Sequence, residues 1–333
     1  MDSGTSINVT IAIDLEPDAR MIARNESGAW RGFEILAEAL TALRARLPGK
    51  DGQAATFTWL MRMDPQIGLA YGDAAYGVRR YRRLIDGFEA AGDDLGTHVH
   101  LYDWDLDEQR WVTDFSRPEW ARTCVDEAVG TFRDLFSRPP RAHSFGDRYC
   151  SEAILDQLEE AGIQCDMTTE SGLGCVHEGF PNELHRGEIP DTRRAPRDVW
   201  RPARDHWLRH DPDGGRRLQM MPISTYRFPQ FFEAGRWLDM QRRRRRGRPG
   251  SMDEREQRYA RLCLEHRSYV FRYGLRQLRQ EFAPRHLQFV LNSSQARDAA
   301  TLRRYFRSIE YLCSAPGGRR YEFVSAMGSL AAV

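Results

Sequence analysis

The chain has 333 residues, of which 41% are hydrophobic and 29% are charged, and its formal net charge is +1. This length and composition predict a globular protein with one large α/β domain or two smaller ones. A net charge this close to zero gives no global field that favours nucleic acid or a membrane surface as a partner. No stretch approaches the roughly 18 apolar residues that a membrane-spanning helix requires.

Six cysteines are spread along the chain, and none of them forms a C-x-x-C pair. Scattered thiols in a chain of this length indicate a reducing compartment. The first eight residues lack the basic region and the long apolar run of a signal peptide. The sequence therefore predicts a cytoplasmic protein.

Strands and helices are expected to alternate along the chain. In chain order we expect a strand at 7–14, a helix at 30–47, a strand at 55–61, a helix at 76–91, a strand at 95–101, a helix at 118–137, a strand at 142–145, a helix at 151–162, a strand at 163–168, a long loop at 171–217, a strand at 218–224, a helix at 253–282, a strand at 286–292, a helix at 299–313 and a strand at 321–325. Ser151 is the expected N-cap of its helix.

This alternation indicates parallel βαβ units. No G-x-G-x-x-G loop follows the first strand, which favours a distorted (β/α) barrel of about seven strands over a dinucleotide-binding sheet. We expect a single α/β domain over 1–333, with a loop insertion around 171–217 and a basic segment around 241–250.

Polar side chains cluster at the predicted strand ends. Asp14 and Glu16 end the first strand, His98 and His100 end the third, and Asn292 ends a late one. Residues i and i+2 of a strand point to the same side, so each pair could aim into one pocket. Two imidazoles with carboxylate oxygen suit Zn²⁺ or a similar divalent ion with an open position for water. Alone, each pair could equally be a helix-capping strand end or a pair of buried, hydrogen-bonded histidines.

Five stretches in order resemble the polysaccharide deacetylases, the family with the NodB homology domain (carbohydrate esterase family 4). They are AIDLEPD after the first strand, AAGDDLGTHVH, SFGDRY, WRPARDHW followed by MMPIS, and FVLNSS. The resemblance covers roughly residues 7–328 and marks the chain as a divergent member.

The resemblance implies a division of roles. Asp14 becomes the general base, while Glu16, His98 and His100 become the metal ligands. Arg148 corresponds to the arginine that orients the base carboxylate, a task that suits its planar fork. Two alternatives remain open, namely that Asp14 itself binds the metal or that a further carboxylate, Asp103, joins the ligands.

The chain also departs from the family pattern. Leu15 stands in place of a second aspartate, and Tyr102 stands where the second histidine is expected. Asn292 replaces the histidine that protonates the leaving group, and an amide cannot supply a proton. Asn292 could instead bond an acetyl oxygen or form a turn, and His143 is an alternative acid.

Several aromatic and charged residues are candidates for contact with a sugar. Aromatic rings and arginines on a loop above a barrel can stack on a sugar and bind its hydroxyls, or simply anchor the loop. The candidates are Tyr102, Trp104, Trp200, Arg201, Asp205 and Trp207. The arginine run at 241–250 is interpreted as a solvated loop or helix end, with contact to an anionic glycan or lipid-linked phosphate as the alternative.

The sequence thus predicts a metal-dependent hydrolase that removes an acetyl group from an N-acetylated sugar. Its cofactor would be a divalent metal, Zn²⁺ first, and its partner a carbohydrate or glycoconjugate, with no nucleic acid and no membrane span. One alternative is a cyclic amide or imide hydrolase on the same fold. Another is a non-catalytic glycan-binding or regulatory protein.

Overall fold

The structure is a computed structural model of the chain, and it describes residues 6–22, 28–176, 184–227, 258–314 and 320–331. The strands are β1 (Ile7–Leu15), β2 (Thr58–Arg62), β3 (Asp94–Val99), β4 (Tyr102–Asp105), β5 (Arg110–Asp114), β6 (Ala142–Phe145), β7 (Cys165–Asp166), β8 (Leu184–Arg186), β9 (Gln219–Met220), β10 (Thr225–Arg227), β11 (Tyr259–Arg261), β12 (His286–Asn292) and β13 (Tyr321–Phe323). The helices are α1 (Arg31–Arg44), α2 (Pro65–Tyr71), α3 (Tyr76–Arg80), α4 (Arg82–Ala90), α5 (Pro118–Phe136), α6 (Glu152–Glu160), α7 (Ser268–Glu281), α8 (Ala299–Cys313) and α9 (Ala326–Leu330), with 3₁₀ turns at Lys50–Gly52 and Ser293–Arg297.

The main sheet is parallel, with strand order β12-β1-β2-β3-β6-β7-β9, and β13 pairs with the start of β1. The segment that follows β9 connects the β7–β9 edge of the sheet with β12 at the opposite edge through backbone hydrogen bonds. Ile223 donates its N–H to the Thr169 carbonyl, at 2.8 Å, and Ser224 donates its N–H to the Gln288 carbonyl of β12, at 3.0 Å. The predicted distorted barrel of about seven strands is therefore confirmed.

Side-chain alternation along the strands separates two apolar layers. One side of β1, including Ile11 and Ile13, belongs to the large core that α1 and other helices cover. The other side contributes Ala12 to a smaller cluster that includes Leu60 and Met327 of α9. Helix α9 is held against the sheet because the Ala326 N–H donates to Thr58 Oγ1 at 2.8 Å. The smaller cluster fills the barrel interior, and α9 closes its amino-terminal end.

Two residues further along each strand, the same inward side becomes polar. Side chains two positions beyond the apolar layer share its direction and lie at the carboxyl ends of the strands. These inward residues are Asp14, Arg62, His98, Ser144 and Asn292. The fold therefore gathers polar groups from different strands at one end of the barrel.

The structure differs from the expected elements in several places, and three of these differences follow from tertiary contacts. The helix expected at 253–282 begins only at Ser268, and within the described residues Tyr259–Arg261 is a strand paired antiparallel with β10. The helix expected at 76–91 is interrupted at Tyr81, whose hydroxyl donates to Glu34 Oε1 at 2.8 Å and whose ring packs on Phe33. The predicted loop at 171–217 contains β8, which extends the β4–β5 hairpin. Tertiary pairing overrides local propensity in each case.

The Ser151 cap is confirmed, since its hydroxyl accepts from the Ile154 N–H at 3.3 Å. The basic segment at 241–250 lies outside the described residues. Within the described ranges, no helix is both long enough and apolar enough to cross a membrane.

Candidate metal centre

Glu16 follows β1 and is fixed from both its backbone and its side chain. Its N–H donates to Ser293 Oγ at 2.8 Å, and the same hydroxyl donates to the Glu16 carbonyl at 3.1 Å. Asn292 Nδ2 donates to Glu16 Oε2. Because Oε2 is engaged in this way, Oε1 is the oxygen that faces the histidines.

Three donor atoms meet at this point. Glu16 Oε1 lies 3.0 Å from His98 Nε2 and 2.9 Å from His100 Nε2, and the two nitrogens are 3.1 Å apart. Metal–ligand bonds of about 2.0–2.2 Å at tetrahedral angles separate such atoms by about 3.4 Å. The three atoms are therefore spaced almost as a tetrahedral ion requires. Two histidines with one glutamate are a common protein ligand set of catalytic zinc sites, which leave a position for water.

The ring of His100 is held in one orientation. Its Nδ1 lies 3.0 Å from Asp147 Oδ2, and its ring stacks on Tyr102 with centroids 4.8 Å apart and planes 6° apart. A carboxylate at Nδ1 fixes the proton there and leaves Nε2 with a lone pair, as in carboxylate–histidine–metal arrangements. Burial alone would raise the pKa of Asp147, but His100 and Arg20 hold that pKa far below its ordinary value.

Gly146 makes this ring position possible. A Cβ on Gly146 would lie 1.9 Å from Cε1 and 2.2 Å from Nε2 of His100. Any residue with a side chain at 146 would therefore overlap the imidazole. The sequence analysis gave neither Asp147 nor Gly146 a role at the site. A Gly-Asp pair after a barrel strand was the available signal for both.

A buried ion pair lies beside the donor atoms. Arg62 is 1% exposed and donates from Nε to Asp64 Oδ2 at 2.5 Å, while its Nη1 lies 3.9 Å from Glu16 Oε1. Asp64 in turn accepts the His100 N–H at 3.1 Å. These two residues repeat, at the end of β2, the i, i+2 spacing that drew attention to Asp14 and Glu16. They tie the ends of β2 and β3 together under the donor cluster.

The charges around the cluster do not balance. Four carboxylates are in contact with it or its ion pairs, against two guanidinium groups, which leaves two negative charges when the histidines are neutral. The carboxylates belong to Asp14, Glu16, Asp64 and Asp147, and the guanidinium groups to Arg20 and Arg62. Buried charge without a partner is unfavourable. A divalent cation would supply the missing positive charge.

Asp14 lies beside the cluster without joining it. Its Oδ1 is 3.6 Å from His98 Nδ1, too long for a hydrogen bond, and both atoms are buried without a hydrogen-bond partner. Burial raises the pKa of Asp14, and the Glu16 charge adds to that rise, while His98 and Arg261 oppose it. The carboxylate therefore keeps an oxygen available for proton transfer.

Neither Asn292 nor His143 is arranged to act as a general acid. Asn292 bonds Glu16 through Nδ2 and accepts the Ser294 N–H through Oδ1 at 3.0 Å. His143 is fully buried with its Nδ1 3.1 Å from Thr97 Oγ1, and burial lowers its pKa to about 3. A neutral, enclosed imidazole cannot protonate a leaving group at neutral pH. The structure therefore argues against His143 as the missing acid.

Arg148 is not paired with Asp14. It forms no ion pair within the described residues, its Nη1 is buried without a partner, and its backbone has φ of +60°. The guanidinium whose charge acts on Asp14 belongs to Arg261, which the sequence analysis placed inside a helix. Asp103 is not part of the donor group found among the described residues, and it pairs with Arg117 instead.

Tyr102 and Trp104 lie in the hairpin next to the histidines. Tyr102 is fully buried behind His100, so its ring supports the imidazole of that residue. Trp104 is partly exposed and packs edge-on against Trp111, with centroids 5.1 Å apart. Of these two rings, Trp104 is the one that a substrate could contact.

The loop candidates separate into buried rings and exposed charges. Trp200 and Trp207 are 2% and 5% exposed, and Trp200 Nε1 donates to the Trp207 carbonyl at 3.0 Å. These rings belong to the hydrophobic core, which favours loop anchoring over sugar stacking. Arg201 and Asp205 are exposed, and Asp205 pairs with Arg209.

Comparison with known proteins gives similarity only at the level of solved structures. The chain is similar to the Puue allantoinase, with 12% identity and a TM-score of 0.49 over 99% of this chain and 91% of that one. It is also similar to a protein from Pseudomonas aeruginosa PAO1 assigned to the polysaccharide deacetylases, with 11% identity and a TM-score of 0.48 over 98% and 90%. A protein from Mycobacterium smegmatis with the same assignment has 14% identity and a TM-score of 0.49 over 100% and 91%. No family model and no curated protein matches.

Proposed function

We propose that this protein is a metal-dependent hydrolase that removes the acetyl group from an N-acetylated sugar or glycan. The observation that carries the proposal is the set of three donor atoms from Glu16, His98 and His100, all within 3.1 Å of one another. Carboxylate and imidazole donors at such spacing hold a divalent ion, with Zn²⁺ the first candidate. The sequence motifs that resemble those of polysaccharide deacetylases point to the amide of an acetylated sugar.

Each residue then has a defined task. A divalent ion at these donors would polarise the scissile carbonyl and make water acidic enough to react near neutral pH. Asp14, with its unpartnered buried oxygen, accepts the proton of the attacking water. Asn292 and Ser293 hold Glu16, and Asp147 holds His100, so the donor atoms need little rearrangement when the ion binds.

The departing nitrogen needs a proton, and among the described residues Asp14 is the group best placed to return it. A carboxyl that has taken a proton from water can deliver it later in the same reaction. This route needs no histidine at position 292.

A cyclic amide or imide hydrolase is the second candidate. The observation that favours it is the position of Asn292, whose amide bonds Glu16 where an acid histidine is expected. The nitrogen of an imide or ureide is a better leaving group than an amine, so it depends less on a general acid. An enzyme that acts on such a substrate could therefore have asparagine in place of histidine at position 292.

The experiment is metal removal and restoration. The purified protein is stripped with a chelator, reloaded with Zn²⁺, and assayed for acetate release from N-acetylhexosamine glycans and nucleotide sugars. We expect release that depends on the metal and is lost in His98→Gln. The control is His206→Gln, because His206 is 58% exposed on the loop and outside the donor cluster.

Three results would contradict or redirect the proposal. Metal-loaded protein that releases no acetate from any of these substrates would exclude the deacetylase function. Turnover of imides or ureides instead would support the second candidate. Sugar binding that survives Asp14→Ala, without any turnover, would indicate a non-catalytic protein.

A further inference from the structure

Three polar residues at the end of β2 and the start of α2 bond one another beside the donor cluster. Arg62, Asp64 and Gln66 are spaced two residues apart, and each is at most 1% exposed. Arg62 donates to Asp64 through Nε at 2.5 Å and through Nη2 at 3.0 Å, and Nη2 also donates to Gln66 Oε1 at 2.7 Å. These buried polar groups therefore satisfy one another.

The Asp64 carboxylate serves a donor residue and not its own helix. Asp64 is the N-cap of α2, a position from which an aspartate side chain ordinarily accepts an N–H of the first turn. Here the side chain makes no such bond, and Oδ2 accepts the His100 N–H at 3.1 Å instead. The three residues therefore hold the backbone of His100.

Gln66 also connects them to the residues that hold the His100 imidazole. Its Nε2 donates to the Arg20 carbonyl at 3.2 Å. The Arg20 side chain bonds Asp147, whose Oδ2 lies 3.0 Å from His100 Nδ1. The hydrogen bonds thus form a closed path, which we call the His100 network. From the His100 backbone to the His100 imidazole, its members are Asp64, Arg62, Gln66, Arg20 and Asp147.

The same network holds the aromatic ring that supports His100. The guanidinium groups of Arg20 and Arg62 lie over the Tyr102 ring, 5.5 Å and 5.7 Å from its centroid. Contacts of this kind between a cation and an aromatic face are attractive. Because Tyr102 stacks on His100, both arms of the network also act on the imidazole through this ring.

We propose that Gln66 is a positioning residue of the metal centre, because it joins the two contacts that orient His100 into one network. This inference rests on the proposed function, since it concerns a residue that would bind the metal. Neither side-chain bond of Gln66 reaches a donor residue, so its effect on the metal passes through Arg62 and Arg20.

The test measures zinc affinity and thermal unfolding for wild type, Gln66→Met and the control Gln288→Met. Methionine is unbranched like glutamine but lacks the amide that makes these hydrogen bonds. Gln288 in β12 is a matched control, because it is also 0% exposed and donates Nε2 to a backbone carbonyl, that of Met167, at 3.1 Å. It lies outside the His100 network.

We expect both variants to unfold at a lower temperature, because each loses a buried hydrogen bond. Only Gln66→Met should weaken zinc binding, by roughly tenfold, as expected for residues that support a ligand. Equal zinc affinities of wild type and Gln66→Met would overturn the proposal, and so would an equal loss of affinity in the two variants.

Gln66→Glu tests the link to Arg20 separately, and it retains the buried bond to Arg62 if Gln66→Met does not fold. Glutamate keeps an acceptor for Arg62 but cannot donate to the Arg20 carbonyl. We expect zinc binding to weaken as in Gln66→Met. Wild-type affinity would show that the link to Arg20 has no role, contrary to the proposal.

A double variant tests whether the network acts as one unit. Arg20→Gln already breaks the path between Gln66 and Asp147. Adding Gln66→Glu to it should therefore change zinc affinity by less than about twofold. If the two losses of affinity multiply instead, the residues act independently and the proposal fails.

Carbon relaxation of the His100 imidazole, measured by NMR on the zinc-free protein, separates this proposal from the proposed function. We expect a rigid imidazole in wild type and Gln288→Met, and larger motion in Gln66→Glu. If wild type binds no zinc but shows this difference, the positioning role stands and the metal-dependent function fails. If wild type binds zinc and releases acetate, but neither affinity nor motion responds to Gln66→Glu, the function stands and the positioning role fails.

Discussion

Gly146 offers a direct test of the proposed metal centre, because the three atoms nearest to a methyl group added at this position all belong to the His100 ring. In Gly146→Ala the new Cβ would lie 1.9 Å from His100 Cε1 and 2.2 Å from Nε2, whereas ordinary van der Waals contact begins at 3.4 Å. The ring must therefore shift by about 1.5 Å, and metal–ligand bonds tolerate only about 0.2 Å. His100 is then lost as a ligand.

The ring cannot shift without further loss. Tyr102 stacks on one face, and Asp147 holds Nδ1 at 3.0 Å. We expect the overpacking to destabilise the fold by about 1–3 kcal/mol. We expect zinc affinity to fall by more than about 100-fold, since disturbing a residue that merely supports a ligand already costs about 10- to 100-fold.

The assay is zinc titration against a chromophoric chelator, with thermal unfolding measured in parallel. The matched control is Gly130→Ala in helix α5, where an added Cβ meets nothing within 4 Å. This control should bind zinc as wild type does and gain up to about 1 kcal/mol from helix propensity. Wild-type zinc affinity in a folded Gly146→Ala protein would show that His100 is not a ligand.

Three further predictions concern other positions. Asp14→Asn should lower kcat by about 10²- to 10⁴-fold with zinc content unchanged by elemental analysis, whereas loss of zinc would support the alternative that Asp14 itself binds the metal. Asn292→Ala removes the donor to Glu16 Oε2 and should weaken zinc binding by about 10- to 100-fold in chelator competition; unchanged affinity would remove Asn292 from the site. Burial raises the pKa of Asp166 from 3.8 to about 7 in the folded protein. Between about pH 4 and pH 7 the unfolded chain has therefore lost the Asp166 proton while the folded chain still holds it, so the free energy of unfolding falls as the pH rises. Asp166→Asn should remove that fall, worth up to about 4 kcal/mol at pH 8, in urea unfolding at pH 4 and pH 8; an unchanged difference between the two pH values would contradict the assignment.

The sequence predicted the strands that build the barrel better than the elements that surround the site. Buried parallel strands such as Ile7–Leu15 and His286–Asn292 carry β-branched and apolar runs, and a local pattern is sufficient to find them. The strand at Tyr259–Arg261 has no such pattern and exists because it pairs with Thr225–Arg227, far away in sequence. The sequence placed those residues in a helix, and so it gave Arg261 no role.

The residues of the site show the same difference between local patterns and long-range contacts. Asp14-x-Glu16 and His98-x-His100 share an i, i+2 spacing that any strand converts into a common direction, so the sequence alone pointed to them. The partners of these residues come from other strands and turns, over separations such as the 276 residues between Glu16 and Asn292. No local pattern specifies contacts at that distance.

What the sequence determined by itself was the parallel barrel and the two pairs of polar residues at its strand ends, because strand periodicity is a local property. What only the tertiary structure decided was which atoms of those residues meet. Glu16 turns Oε1 toward the histidines because Asn292 holds Oε2, and His100 presents Nε2 because Asp147 holds Nδ1 and Gly146 leaves room for the ring. The orientation of a ligand depends on neighbours brought together by folding, and that is the physical reason why the sequence could name the donors but could not arrange them.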